Sequence, residues 1–165
     1  MKKTFIIAEI GINHNGSLSL AKKLIDSAVR AGVDAVKFQT YITEKRVKEN
    51  SPIFKILKKC ELSFDDFRKL SEYSKKKNVE FMSTPFDLES FDFLKKLRVS
   101  KVKIASFDTV NTQFLKAIAK RKTNFIMSVG MSKIGEIEKA YKILSNGLKN
   151  KVSLLHCVSS YPTKE

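Results

Sequence analysis

The chain has 165 residues, a length typical of one folded domain, and 42% of them are hydrophobic. This composition excludes an intrinsically disordered protein. Two cysteines without regular spacing exclude a disulfide-rich secreted scaffold, so both are expected to be reduced thiols. No apolar run approaches the length of a membrane span, and Glu9 interrupts the short apolar stretch near the start. We therefore expect a soluble, cytoplasmic protein with no membrane partner.

The net charge of +15 raises the possibility of nucleic-acid binding. Most of the lysine-rich clusters, however, close predicted helices, where cations complement the helix dipole: 75–77, 95–98 and 120–122. No recognition motif or interleaving of Arg with aromatic residues accompanies them. We therefore predict no nucleic-acid partner.

Short apolar segments alternate with longer amphipathic ones, which predicts alternating strands and helices. The strands are predicted at 5–11, 35–40, 80–85, 101–106, 125–130 and 152–158. The helices are predicted at about 18–31, 64–77, 87–97, 111–121 and 133–147, with a candidate short helix within 52–60. The predicted helix caps are Ser17, Ser63, Asn111 and Ser132 at N-termini and Gly32 at a C-terminus.

Strands joined by helices in this rhythm predict a parallel sheet, either an open doubly wound sheet or a (β/α)8 barrel. Lys37 and Gln39 lie two apart in one strand, as do Lys101 and Lys103 in another, so each pair shares a face. Polar strand interiors fit a barrel mouth better than a closed hydrophobic sheet. A complete barrel typically has about 250 residues and eight strands. The predicted fold is therefore α/β, an incomplete (β/α)8 TIM barrel with about six βα units, in which 1–165 form the N-terminal three-quarters of the domain.

Cations and hydroxyls recur where the predicted strands end, which is the edge where α/β folds place their chemistry. The polar residues there are Glu9, Asn13, His14, Lys37, Gln39, Thr40, Ser83, Thr84, Lys103, Ser106, Asp108, Ser128, Ser159, Ser160 and Tyr161. Ammonium groups and hydroxyl donors suit an anion that carries phosphate and carboxylate. The pattern therefore predicts a binding site for such an anion.

The same residues also fit structural roles. Lys37 and Lys103 could be structural charges whose side chains extend from strand ends to solvent, and Glu9 could form an ion pair with one of them. Three hydroxyl residues could cap the helices that follow them: Thr84, Ser106 and Ser128. His156 lies within an apolar strand and is predicted to be a core histidine. Cys157 and Cys60 are predicted to serve packing alone. The Gly/Asn loop around His14 leaves its role open.

Several motifs together resemble the sialic acid synthase family, which makes nine-carbon nonulosonic acids. The segment "FIIAEIGINHNGSLSLAKKLIDSAVRAGVDAVKFQTY" resembles the opening of that family. Four later segments of this chain resemble the family's later strand ends and occur in the family's order: "FMSTPFD", "VKIASFDTVN", "IMSVGMS" and "LLHCVSSYPT". The resemblance therefore covers essentially the whole chain. The resemblance implies condensation of phosphoenolpyruvate with the open-chain aldehyde of an N-acyl mannosamine-type sugar, with release of phosphate. Mn²⁺ or Mg²⁺ would act as the Lewis acid.

The resemblance also implies roles for individual residues. The phosphoenolpyruvate site would consist of Lys37, Thr84, Lys103, Ser106 and Ser128. The sugar site would include Gln39, Ser159 and Tyr161, and the acidic groups at the reacting centre would be Glu9 and Asp108. The products of such enzymes are precursors of lipopolysaccharide, capsule or flagellin glycans.

Two departures from the family pattern bear on the substrate. Asp108 stands where sialic acid synthases usually have a glutamate, and Ser159 stands where they have an asparagine. These changes favour bacterial analogues such as pseudaminic or legionaminic acid over N-acetylneuraminate. "EIGINHNG", however, resembles the sialic and legionaminic branches, so the exact product stays open.

In the family, the metal-binding histidines belong to strands seven and eight, and an antifreeze-like C-terminal domain follows. Neither His14 nor His156 matches these ligands, so no metal residue is assigned. We therefore expect this chain to be a fragment or one half of a split gene, inactive alone, from a family whose full-length members form homodimers.

Two alternatives stay open at this stage. Lys37 or Lys103 would form a Schiff base in a barrel aldolase. A non-catalytic (β/α)6 module would instead bind a phosphorylated metabolite or a partner protein.

Overall fold

The computed structural model describes residues 3–146, 150–160 and 162–163. The chain consists of two compact units, Met1–Val99 and Ser100–Glu165. Each unit alternates parallel strands with helices, as the sequence predicts. No described helix has the length and the apolar character that a membrane crossing requires.

The first unit contains three parallel strands in the order β1-β2-β3. Its elements are β1 (Ile7–Gly11), α1 (Leu18–Arg30), β2 (Ala35–Thr40), α2 (Thr43–Arg46), α3 (Phe54–Cys60), α4 (Phe64–Lys76), β3 (Glu80–Pro85) and α5 (Leu88–Lys96). α3 confirms the short helix predicted within 52–60, whereas α2 was not predicted. Four residues are too few to show a helical period in the sequence.

Hydrogen bonds from backbone amides to side chains define where the helices of this unit start. Ser17 accepts from Leu20 and Ser63 accepts from Asp66, so both predicted caps are confirmed. Asp87, inside the predicted helix, is instead the cap of α5 and accepts from Ser90. Gly32 follows α1 with a φ of +76°, the left-handed geometry that its predicted capping role requires.

An apolar face of each long helix packs against the strands to form the core of the first unit. Phe38 of β2 is fully buried, stacks on Phe81 at 5.5 Å and meets Phe67 edge-on at 6.3 Å. The core cluster consists of Ile10, Ala21, Ile25, Ala28, Val36, Phe38, Leu62, Phe67, Leu70, Val79, Phe81, Phe93 and Leu94. The side chains of β2 that alternate with Phe38 therefore lie on the opposite face of the strand.

The second unit contains three parallel strands in the order β4-β5-β6. Its elements are β4 (Lys101–Ile104), a 3₁₀ turn (Ser106–Val110), α6 (Thr112–Ala119), β5 (Asn124–Ser128), α7 (Ile134–Asn146) and β6 (Val152–Leu155). β4 and β6 are shorter than predicted. β4 ends where the chain turns into the 3₁₀ segment.

Two predictions in this unit are wrong. His156 is exposed instead of buried in a core, because β6 ends at Leu155 and its own leucines, Leu154 and Leu155, are 43% and 38% exposed. Ser132 does not cap α7, which begins at Ile134. The Glu136 carboxylate accepts the Lys133 N–H there instead. The predicted cap Asn111 is confirmed, since it accepts from Phe114.

The β1–α1 loop buries His14 completely. Its Nδ1 accepts a hydrogen bond from the Gly16 N–H at 3.2 Å, and its ring lies 6.0 Å from that of Phe38. Gly16 has a φ of +76°, and a Cβ there would lie 2.2 Å from the carbonyl oxygen of Lys59. Burial lowers the pKa of His14, and the Gly11 carbonyl opposes that shift only in part. A neutral imidazole therefore fits this loop.

We expect the free energy of unfolding to fall as the pH drops below about 6.5, because the unfolded chain then binds a proton that folded His14 resists. The loss should level off once the pH passes the lowered pKa of the folded state. Urea unfolding between pH 7.5 and 5.5 measures the effect. His14→Gln should flatten this dependence, and the exposed His156→Gln should retain it. An identical slope in His14→Gln would contradict the assignment.

Asn150 joins three elements of the second unit and is 7% exposed. Its Oδ1 accepts the Thr123 N–H just before β5, at 3.0 Å. Its Nδ2 donates to the carbonyl oxygens of Ala119 at the end of α6 and Leu144 near the end of α7. One buried amide thus satisfies three backbone groups that would otherwise be left unpaired.

Asn150→Ala should lower the free energy of unfolding by about 2–4 kcal/mol, since it leaves buried backbone groups without partners. Asn124 provides the matched control, because it is exposed and its Nδ2 makes one hydrogen bond, to the Ser100 carbonyl. Asn124→Ala should cost less than about 0.5 kcal/mol. Equal losses in the two variants would refute the role given to Asn150.

Candidate functional site

Lys37, the third of the six residues of β2, is the best-supported candidate in the first unit. Only 5% of the surface of Lys37 is exposed. Its Nζ lies 2.7 Å from Oε2 of Glu9 and donates to Oγ1 of Thr84 at 3.3 Å. The predicted residues Glu9, Lys37 and Thr84 are therefore brought together on three adjacent strands, and Thr84 serves as an acceptor for the lysine.

The strand register explains this contact. Glu9 lies directly opposite Lys37, whereas Thr84 is two residues beyond Met82, the residue paired with Lys37. Residues two apart share a face, so Lys37 leans toward the carboxyl end of the neighbouring strand and reaches the hydroxyl there. On the other face, Thr40 and Ser83 pair through their hydroxyls at 2.7 Å.

Lys103, at the end of β4, makes the equivalent contact in the second unit. It is 6% exposed, and its Nζ lies 2.5 Å from Oγ of Ser128 and 2.8 Å from the carbonyl oxygen of Ile104. Lys103 is paired with Ile126, so Ser128 again lies two residues beyond the register partner. Each unit thus holds a buried lysine against a hydroxyl supplied by the next strand.

Ser106 belongs to a second cluster in this unit. Its Oγ lies 3.4 Å from Sγ of Cys157, which accepts the Gly130 N–H at 3.3 Å. A Cβ at Gly130 would lie within 3.2 Å of both the Ser106 Oγ and the Cys157 Sγ, so a larger residue would disturb the contact. The prediction that Cys157 serves packing alone does not describe this arrangement.

Burial raises the pKa of the Cys157 thiol, but hydrogen bonds from Ser106, Ser128 and backbone amides outweigh it and hold the pKa below its usual range. The contact between Ser106 and Cys157 spans 51 residues. No local sequence signal reports such a contact. Cys60 is buried, in keeping with packing.

Gln39 is half-buried and shares the Lys37 face of β2. Its Oε1 accepts a hydrogen bond from Nη1 of Arg46 at 3.2 Å. Arg46 belongs to α2 and was not among the residues singled out from sequence. Its guanidinium lies over the rings of Phe86, at 3.8 Å, and Tyr41, at 4.7 Å. The sequence signal that could have identified Arg46 is a basic residue shortly after the polar end of a strand.

The remaining predicted residues lie on the turns that follow β4 and β6. Asp108 is buried in the 3₁₀ turn, where its Oδ1 lies 3.4 Å from Nδ2 of Asn111. Ser159 is exposed beyond the end of β6. Tyr161 lies outside the described residues. The roles of these three residues stay predictions.

The resemblance implies a divalent metal, so the donor set matters. Among residues 3–146, 150–160 and 162–163, no three His, Cys, Asp or Glu side chains converge closely enough to hold a metal ion. The described residues therefore do not fit Mn²⁺ or Mg²⁺ by themselves.

Comparisons with known proteins show which family the chain resembles. Residues 24–165 match the model of the NeuB family. The chain is 46% identical over 160 residues to an uncharacterised protein of Methanocaldococcus jannaschii, covering 97% of this chain and 48% of that protein. It is 42% identical to the N,N'-diacetyllegionaminic acid synthase of Campylobacter jejuni, covering 98% of this chain and 53% of that enzyme. The chain thus spans about half the length of the curated relatives it matches.

A solved structure extends the similarity to three dimensions. The N-acetylneuraminic acid synthetase of Leptospira borgpetersenii, crystallised with citrate, has a TM-score of 0.94 and 43% identity, covering 99% of this chain and 57% of that one. This likeness confirms the predicted α/β class of the barrel synthases. The sequence motifs, the family model, the sequence relatives and the solved structure agree: the chain belongs to the NeuB family of sialic acid synthases and their relatives.

Proposed function

We propose that this polypeptide acts in the condensation of phosphoenolpyruvate with the open-chain aldehyde of an N-acyl mannosamine-type sugar. C3 of phosphoenolpyruvate forms a carbon–carbon bond with the aldehyde carbon, whose oxygen becomes a hydroxyl. Water adds to C2, and the resulting tetrahedral centre releases inorganic phosphate to leave a 2-keto acid. Family membership supports the reaction class, and the legionaminic and N-acetylneuraminic acid synthases among its relatives support a nonulosonic acid as the product.

The buried Lys37 ammonium, held by Glu9 and Thr84 at a strand end, is the observation that carries the proposal. A lysine in this setting supplies fixed positive charge and N–H donors to a carboxylate or phosphate. Its existing contacts favour a fixed cation over the nucleophile of a Schiff-base aldolase. Borohydride trapping with a keto acid tests that alternative, because only a Schiff base would leave a covalent lysine adduct.

Lys103 and Ser128 offer the same chemistry in the second unit, with Ser106 as a further hydroxyl. We propose that these residues contact an anionic group of phosphoenolpyruvate, as Lys37 and Thr84 are proposed to do in the first unit. Hydroxyls donate to an anion without adding charge, so a lysine with neighbouring hydroxyls suits a carboxylate or a phosphate.

Glu9 is proposed as the group that carries or positions a proton at the reacting centre. Its side chain is 59% exposed although it pairs with a buried lysine, so the carboxylate is open to solvent and to a bound substrate. Asp108 is proposed as a second acidic group. Gln39, Ser159 and Tyr161 are proposed to contact the sugar. Inactivity of this chain in isolation also stays a prediction.

Lys37→Met and Lys103→Met should each weaken phosphoenolpyruvate binding at least tenfold, because each removes a charge-assisted contact. Isothermal titration calorimetry measures this. Lys37→Met should still fold, because the Glu9 carboxylate that it leaves unpaired is largely exposed to water, and circular dichroism checks the fold of both variants. Lys69→Met is the control, because Lys69 pairs with Asp65 on the exposed face of α4. Its affinity should match the unsubstituted chain.

Phosphate release on mixing the chain with phosphoenolpyruvate and N-acetylmannosamine tests the reaction itself. Absence of phosphoenolpyruvate binding by the unsubstituted, folded chain would overturn the proposed site. Binding that survives in both lysine variants would show that the anion binds elsewhere. Binding without phosphate release would instead favour the non-catalytic module and would confirm the prediction of inactivity in isolation.

A further inference from the structure

We infer that Arg46 is a positioning residue that fixes the side-chain amide of Gln39 as a hydrogen-bond donor toward an uncharged acceptor oxygen of the N-acyl amino sugar. The inference rests on the proposed function, because it specifies what the sugar site takes. It is carried by contacts within the first unit alone. The segment concerned begins directly after β2 and ends with α2.

Two carboxylates fix the start of this segment. Oδ2 of Asp87 accepts the Ile42 N–H at 3.1 Å, and Oε2 of Glu61 accepts the Thr43 N–H at 3.0 Å. The Thr43 hydroxyl donates to the same Glu61 oxygen. A helix of four residues would be unstable by itself, so these bonds help to hold its start in place.

Two aromatic rings then fix the guanidinium of Arg46. Its Cζ lies 3.8 Å from the centre of the Phe86 ring and 4.7 Å from that of Tyr41. Tyr41 is 2% exposed, and its hydroxyl donates to the carbonyl oxygen of Leu57 at 2.9 Å. Stacking on fixed rings restricts a side chain that would otherwise sample many rotamers.

The fixed guanidinium decides which way the Gln39 amide points. An arginine side chain carries donors only, so it can meet Oε1 of an amide but not the NH₂ group. The observed bond from Nη1 to Oε1, at 3.2 Å, therefore leaves Nε2 as the donating end. Flipping the amide would place two donors against each other.

The backbone beside Nε2 keeps that end accessible. Gly11 has a φ of +57°, and a Cβ there would lie 3.7 Å from Nε2. Glycine thus leaves the amide nitrogen uncovered on this side. Lys37 lies on the same face of β2, so the strand end presents a charged donor for an anion and a neutral donor two residues later. A neutral donor suits a hydroxyl or carbonyl oxygen of the sugar.

The experiment uses the full chain, labelled with ¹⁵N. In Arg46→Met, the side-chain NH₂ resonances of Gln39 should move toward the positions of an unconstrained amide. Titration with N-acetylmannosamine should show binding weakened about tenfold, while phosphoenolpyruvate binding should change less than twofold. A general loss of structure would not produce this split between the two ligands.

Two further variants sharpen the test. Arg68 lies over the Phe93 ring at 5.9 Å and pairs with Asp65 on the surface of α4, so Arg68→Met is the matched control and should change neither ligand. Gln39→Glu keeps an acceptor for Arg46 but removes the amide donor, so it should lose sugar binding while Arg46 retains its contact.

Unchanged Gln39 resonances and unchanged sugar affinity in Arg46→Met would overturn the inference. Full sugar affinity in Gln39→Glu would overturn the donor role. If the unsubstituted chain binds phosphoenolpyruvate but no sugar, the inference fails and the proposed anion site stands. If it binds neither ligand, both fail, and the Gln39 resonances then report only whether Arg46 orients the amide.

Discussion

The buried Lys37 ammonium has to be compensated by the strands on either side of β2, and the register of the first unit meets that requirement. A buried charge without partners costs several kcal/mol, so the neighbouring strands have to supply them. Glu9 on β1 and Thr84 on β3 do so. A slip of one residue in β2 would turn Lys37 toward the core and expose Phe38, which is fully buried. The hydrophobic core and the candidate site therefore depend on one register.

The same geometric device occurs in both units. A lysine on one strand meets a hydroxyl two residues beyond its register partner on the next, as Lys37 does with Thr84 and Lys103 with Ser128. In a parallel sheet every strand ends at the same edge, so a side chain that leans along the strand reaches its neighbour there. Functional groups held by strands are more precisely placed than groups on loops.

Much of this could be predicted from the sequence, and the limits have physical causes. Spacing by two placed Lys37 and Gln39 on one face, and capping chemistry marked the starts of α1, α4 and α6. Register is a property of two strands, so no single segment revealed that Lys37 would meet Thr84. Arg46 was missed because α2 has no period, and because its position depends on the distant carboxylates of Glu61 and Asp87. The prediction for His156 was wrong because apolar neighbours in the sequence do not guarantee that a side chain is buried in the folded chain.

Acidic residues are scarce in this chain, so few carboxylates are left to neutralise lysines at the strand ends. The chain has 17 acidic residues against 32 Lys and Arg, and several acids are committed to backbone amides or to structural pairs. Asp34 accepts from the Ile6 N–H, Glu61 and Asp87 hold the segment before α2, and Asp26 accepts from Tyr73. The carboxylate paired with Lys37 belongs to Glu9, which is largely exposed. Because Glu9 is largely exposed, an anion bound as proposed would meet the ammonium beside a solvated carboxylate and not beside a buried one. A buried lysine with a solvated counter-ion suits transient binding of an anionic substrate better than a closed structural ion pair would.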